Sequence, residues 1–368
     1  MIFFLVFSLQ RSEAQTWQAG TSDWNTVGNW TTANVPDTNT ETAAFSTTGS
    51  TTIDLSANTI VKGLSFGVNS QAYTIQSSSG KTLTIDINAG ADANAFALTA
   101  SSGAVTVNTN LIFTDSNAGI NEPIFSLAAG SSLTINGNIT TASGTYTVGA
   151  GGTLSINGSI NLNGGQFENT SSVTTYFNPT SVTNVGSVRG ETNNGKVFLM
   201  RDFSTGTISV GLNGPANSTG KMYLGTDGMS MSRNFTFFSG SGAGIGNMTF
   251  GADMSSGGTA TQAGTVTIST GAAGSTNTDN FDATDSNDIL NITSVISGTV
   301  TAGSTILKKT GNGTVIFGGT AANTFASGAG TASVDVAAGT LELNKTAGVN
   351  AIGNVAITVD SGATLKWD

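Results

Sequence analysis

Short alternating segments that recur at a fixed step leave a chain few folds. Here Ala129-Gly130-Ser131-Ser132-Leu133-Thr134-Ile135-Asn136-Gly137-Asn138-Ile139 returns as Ala150-Gly151-Gly152-Thr153-Leu154-Ser155-Ile156-Asn157-Gly158-Ser159-Ile160, a step of 21 residues from Leu133 to Leu154. Gly339-Thr340-Leu341 is echoed by Gly362-Ala363-Thr364-Leu365, a related step of 23 between the glycines. Each segment alternates β-branched or Leu residues with small polar ones, which turns one face of a strand inward. None is long enough to bury that face alone, so the segments must stack on copies of themselves. A period of 20-odd residues fits one turn of a parallel β-helix, with about three short strands per coil. The expected fold is all-β: a right-handed parallel β-helix of roughly 20–25 residues per coil. Its handedness follows from the general preference of parallel crossovers rather than from any residue. Leu133 should then stack on Leu154, and Ile135 on Ile156.

Composition agrees. Of 368 residues, 49 are Gly and only 9% are charged, against about 25% in an average soluble domain. Hydrophobic residues make up 38%, enough for a core. Twelve Lys and Arg face 22 Asp and Glu, a net charge of −10, which repels a phosphate backbone and argues against nucleic acid as a partner. There is no Cys and no His. Disulfides, thiolate metal sites and every His-based triad are thereby excluded, along with the commonest general base and zinc ligand.

The stretch Ile306–Leu343 carries a more specific pattern. It includes Lys309-Thr310-Gly311-Asn312-Gly313-Thr314-Val315, then Gly318, Asn323-Thr324-Phe325 and Ala338-Gly339-Thr340-Leu341, with Ile296-Ser297-Gly298 upstream. This run resembles the autotransporter-associated β-strand repeat. Phe325 takes the place of the usual Tyr, and Ser327-Gly328-Ala329-Gly330-Thr331 that of a shorter Gly-Gly-Thr. The resemblance covers about a tenth of the chain at residues 296–343. It implies a right-handed parallel β-helix in a bacterial surface or secreted protein, with no catalytic residues in the repeat.

Residues 1–14 hold the apolar run Ile2–Leu9 followed by Ser12-Glu13-Ala14. They read as the remnant of a secretory signal, with an ordinary buried strand as the alternative. The run is too short to span a bilayer. Residues 15–50 contain Trp17, Trp24 and Trp30, three of the four Trp. Trp-rich openings of this kind also occur at the start of proteins carrying the repeat. The expectation is an N-terminal cap that covers the open apolar end of the first coil; the alternative is an aromatic platform for sugar rings. Residues 51–368 form the β-helix. The irregular stretch Phe167–Phe281 holds Met222, Met229, Met231, Met248 and Met254, which suggests a distorted, Met-filled core. Gly240–Gly246 lacks the Lys-Ser/Thr ending of a phosphate loop and reads as a turn. Asp279, Asp282, Asp285 and Asp288 could supply oxygens to calcium, but their spacing matches no known calcium loop, and a solvated acidic turn is expected. The pattern stops in mid-coil at Trp367-Asp368, as in a piece of a longer protein.

No catalytic, cofactor-binding or metal-ligating residue is assigned. The function expected is non-enzymatic: a secreted or cell-surface passenger acting as a β-helical stalk or adhesin-like scaffold, with extracellular glycans or cell-surface components as partner classes. A polysaccharide-binding or polysaccharide-degrading β-helix is the alternative, because this fold can host either.

Overall fold

The computed structural model describes residues 14–18, 21–46, 51–67, 71–86, 96–98, 103–114, 120–142, 144–191, 195–203, 206–211, 219–238 and 245–368. The residues read as a signal remnant lie outside this set except Ala14, which opens the first strand, Ala14–Thr16. Among the described residues every pairing between strands is parallel, with one isolated antiparallel bridge between Trp17 and Trp30, and the strands build a three-faced β-helix. One face is a 12-stranded sheet and a second a 13-stranded sheet; the third is split into two six-stranded sheets. A regular coil contributes one strand to each face, as Gly144–Ala150, Thr153–Ile156 and Ile160–Asn161 do.

The expected register holds. Leu133 pairs with Leu154 and Ile135 with Ile156, and the column continues as Ile53, Ile75, Val107, Ile135, Ile156, Phe177, Leu199 and Leu224. All eight are fully buried. Parallel pairing satisfies the backbone of each coil through its two neighbours, so stability is shared along the axis.

Many coils keep to 20–25 residues, but several are longer. Thr175 to Val197 is 22 residues, Val197 to Met222 is 25, Met222 to Phe250 is 28 and Phe250 to Phe281 is 31. Ile75 to Val107 reaches 32. Stacking constrains the strands but not the turns, so surplus residues collect between strands. Near the C-terminal end Leu341 pairs with Leu365, a step of 24 rather than 23. Among the described residues, the third face has no strand between Val182–Thr183 and Ser230–Met231. There Phe203 packs against Phe177 with ring centroids 5.7 Å apart. Met222, Met229, Met231, Met248 and Met254 are all buried, as gap-filling side chains in these widened coils.

Turn chemistry is dictated by the distance between coils. A Cβ on Gly137 would lie 1.8 Å from the Thr109 carbonyl oxygen, and one on Gly158 2.0 Å from that of Gly137. Only glycine fits where backbone rides on backbone. The preceding asparagines form a ladder: Asn157 Nδ2 donates to Asn136 Oδ1 at 2.9 Å, and Asn136 Nδ2 to Asn108 Oδ1 at 2.8 Å.

The residues that carry the repeat resemblance prove structural. Lys309 is buried, and its ammonium donates to the carbonyls of Thr310, Gly311 and Ala338 at 2.6, 2.8 and 3.0 Å. A Cβ on Gly339 would sit 2.4 Å from the Gly313 carbonyl oxygen and 2.6 Å from that of Gly311, at a φ of +61°, so the Ala-Gly-Thr-Leu turn needs glycine where it rides on the coil beneath. Asn323 accepts from the Ile296 amide at 2.9 Å and donates to the Ala351 carbonyl at 2.6 Å, which ties three coils together. Phe325 is fully buried.

Candidate functional site

Two features singled out in the sequence can be placed directly. The Trp platform is overturned. Trp17 and Trp24 are fully buried and Trp30 is 2% exposed, so their faces meet each other and Phe45 rather than solvent. Trp24 Nε1 donates to the Pro36 carbonyl and Trp30 Nε1 to that of Trp24, at 3.1 and 2.7 Å. With the Trp24 and Trp30 N–H groups satisfied inside, the cluster offers no open ring face to a sugar.

The solvated acidic turn is also corrected. Asp279 and Asp282 lie on a strand, Thr276–Ala283, and three residues apart they face opposite sides. Asp279 points into the core and is fully buried. Its carboxylate accepts from the Ser269 amide at 2.8 Å and from Ser269 Oγ at 2.9 Å. Burial pushes its pKa up to about 7 against the opposing effect of those hydrogen bonds. Asp285 lies exposed in the following turn and Asp288 opens the next strand, Asp288–Ile292, where its buried carboxylate accepts from the Asp285 amide at 2.9 Å. The four carboxylates therefore do not converge. Among the described residues no group of three or more His, Cys, Asp or Glu could hold a metal ion. The Gly240–Gly244 part of the glycine run lies outside the described residues, and Ile245-Gly246 opens the strand Ile245–Ala252.

The outer face of the 13-stranded sheet carries a site that the sequence reading missed. One outward column runs Thr52, Thr74, Thr106, Thr134, Ser155, and then changes character to Tyr176, Phe198, Tyr223, Gly251, Asp282, Thr310. Tyr176 stacks on Phe198 at 5.0 Å and Phe198 on Tyr223 at 5.6 Å, with interplanar angles of 15° and 26°. Tyr176 at the end of the stack is 36% exposed, whereas Tyr223 is 5% exposed. The Lys196 ammonium sits 5.0 Å from the Tyr223 ring centroid and pairs with Asp253 at 2.9 Å. Burial first, and then the charges of Asp282 and Asp253, push the Tyr223 hydroxyl pKa well above its ordinary value, so this hydroxyl stays a donor through the physiological range.

Two hollows flank the stack. One of about 180 Å3 is walled by Tyr176, Phe198, Met200 and Asp253. The other, a groove of about 370 Å3, is lined by Lys221, Tyr223, Asn247, Thr249, Asn280 and Asp282, with Thr310 beside them. Its polar floor is pre-arranged. Asn280 Nδ2 donates to Asn247 Oδ1 at 2.6 Å, and Asp282 accepts from Thr310 Oγ1 at 2.7 Å and Thr284 Oγ1 at 2.8 Å. Lys221 makes no ion pair among the described residues. The signal for this site was present in the sequence. Val197-Phe198-Leu199 and Met222-Tyr223-Leu224 each set an aromatic residue between two apolar ones. In a period-two strand whose flanking residues face the core, the middle ring must face out.

On the outer face of the 12-stranded sheet, Arg189 Nη1 bridges Glu168 at 3.2 Å and Glu191 at 3.0 Å. Burial and the neighbouring Glu191 carboxylate raise the pKa of Glu168, against the pull of Arg189. No helix among the described residues is long and apolar enough to cross a membrane. No protein-family model, curated protein or solved structure matches this chain.

Proposed function

We propose that the chain is a non-enzymatic secreted or bacterial cell-surface protein of the autotransporter-associated repeat type, a β-helical stalk or adhesin-like scaffold. The observation that carries this reading is the 13-stranded parallel sheet that runs through the molecule. At roughly 4.8 Å per strand its twelve steps make a rod on the order of 60 Å long. Such a rod presents the same short polar side chains coil after coil, as the outward Thr52-to-Ser155 column does, and its function resides in reach and in its faces. The Lys309 clamp and the Asn323 tie give the repeat-like residues structural roles, in keeping with a repeat that carries no chemistry. The test is antibody labelling of an epitope-tagged chain on intact cells of its own source. Labelling without permeabilisation is expected, and signal only after lysis refutes the reading.

A second reading, a polysaccharide-degrading β-helix, draws on the Glu168–Arg189–Glu191 cluster, since glycoside hydrolysis needs two carboxylates. Release of reducing ends from soluble polysaccharides, abolished by Glu168→Gln, would establish it. No release from any of them would leave the cluster a structural ion network.

A further inference from the structure

Rings on the outer face of a solenoid have no core to fill. The column of Thr and Ser that serves the first coils shows that the sheet forms without them. Where the column turns to Tyr176, Phe198 and Tyr223, two hollows open beside it, the smaller walled in part by Asp253, which pairs with Lys196. We propose that this face is a binding site for an uncharged, hydroxyl-rich polymer, a neutral oligosaccharide laid along the rod axis from Tyr176 to Thr310. The proposal deepens the display reading, since it names what the displayed face would hold.

Three properties of the groove select that ligand class. First, its charge is balanced. Lys221 and Asp282 line the groove, and the Asp253 of the neighbouring hollow is neutralised by Lys196, in a chain of net charge −10, so phosphates or uronates gain no attraction here. Second, the remaining polar groups are the amides of Asn247 and Asn280 and the hydroxyls of Thr219, Thr249 and Thr310. Each both donates and accepts, which is what sugar hydroxyls require. Third, five strand steps separate Tyr176 from Thr310 along the column, about 24 Å, which suits an extended chain better than a monosaccharide. At one end the exposed Tyr176 offers an apolar edge. At the other, Tyr223, Asn280 and Asp282 form a floor already shielded from water, since all three are less than 10% exposed. Such polar groups bind with little reordering.

A structural seam could also explain a ring stack, so the test separates binding from stability. Titration calorimetry of the whole chain would use cellohexaose, xylohexaose, mannohexaose and chitohexaose, with hexagalacturonate as the charged control. At least one neutral hexamer is expected to bind in the millimolar range or tighter. Tyr176→Ala and Lys221→Ala should each weaken that binding ten-fold or more with the melting temperature unchanged, while Thr106→Ala, outward on the same sheet but distant, should bind as the parent does. The proposal is overturned if no neutral hexamer binds, if hexagalacturonate is preferred, or if both groove variants bind like the parent. None of these results bears on surface labelling, so failure here leaves the display reading standing.

Discussion

Asp279 is the buried group whose protonation should govern the middle of the solenoid. It is fully buried, with Ser269 its hydrogen-bond donor, and its folded pKa is pushed from 3.8 to about 7. Below pH 4 the carboxyl is neutral in both folded and unfolded chains, and the protein bears no cost. Between pH 4 and 7 the unfolded chain ionises while the folded one keeps its proton. The folded state then binds more protons, and stability falls as pH rises. Three pH units at about 1.4 kcal/mol each put the loss at up to ~4 kcal/mol, complete near pH 7 and flat above it. Asp279→Asn keeps the shape and an acceptor for Ser269 but cannot ionise. Relative to the parent it should gain stability steadily from pH 4 to 7, and little beyond. Because solenoids open locally, the assay is hydrogen exchange of peptides covering Thr276–Ala283, compared between the two proteins at equal pH so that intrinsic exchange cancels. A difference in protection that does not change between pH 4 and 7 would refute the reasoning.

Three further outcomes follow from the packing. Trp30→Ala removes a ring in edge contact with both Trp17 and Trp24. It should cost about 3–5 kcal/mol locally, read as protease cleavage at the N-terminal coil while the distant coils stay resistant. Gly158→Ala places a methyl 2.0 Å from a backbone oxygen, whereas Gly28→Ala meets nothing within 4 Å. The first should lower stability by about 1–3 kcal/mol and the second by less than about 0.5 kcal/mol, and equal melting temperatures would contradict the coil spacing. Lys309→Met strips donors from three carbonyls and should cost roughly 2–3 kcal/mol. Denaturant unfolding checks it, and an unchanged midpoint would show that the clamp is idle.

Much of the fold was legible because a solenoid writes its geometry locally. The step from Leu133 to Leu154 reports a contact one coil away, and the pairing is found there, with the Asn-Gly turns of the same repeat stacked beside it. Facing was legible only where the register was known. Asp279 and Asp282 looked alike as members of an acidic run, yet strand parity sends one into the core and the other to the groove. Without strand bounds, an alternation cannot be told from a turn.

The sequence carries the signal that Phe198 and Tyr223 face outward, but which outward side chains meet in the groove was not legible, for a related reason. Tyr176, Phe198, Tyr223, Gly251 and Asp282 are separated by 22, 25, 28 and 31 residues, a progression that no fixed period predicts. What the sequence determined alone is the kind of object: short half-buried strands, glycine where coils touch and a chain that must stack on itself. Which outward side chains become neighbours was decided only by tertiary structure. Turn lengths set the register between coils, and turns are the part of a β-helix that the core does not constrain.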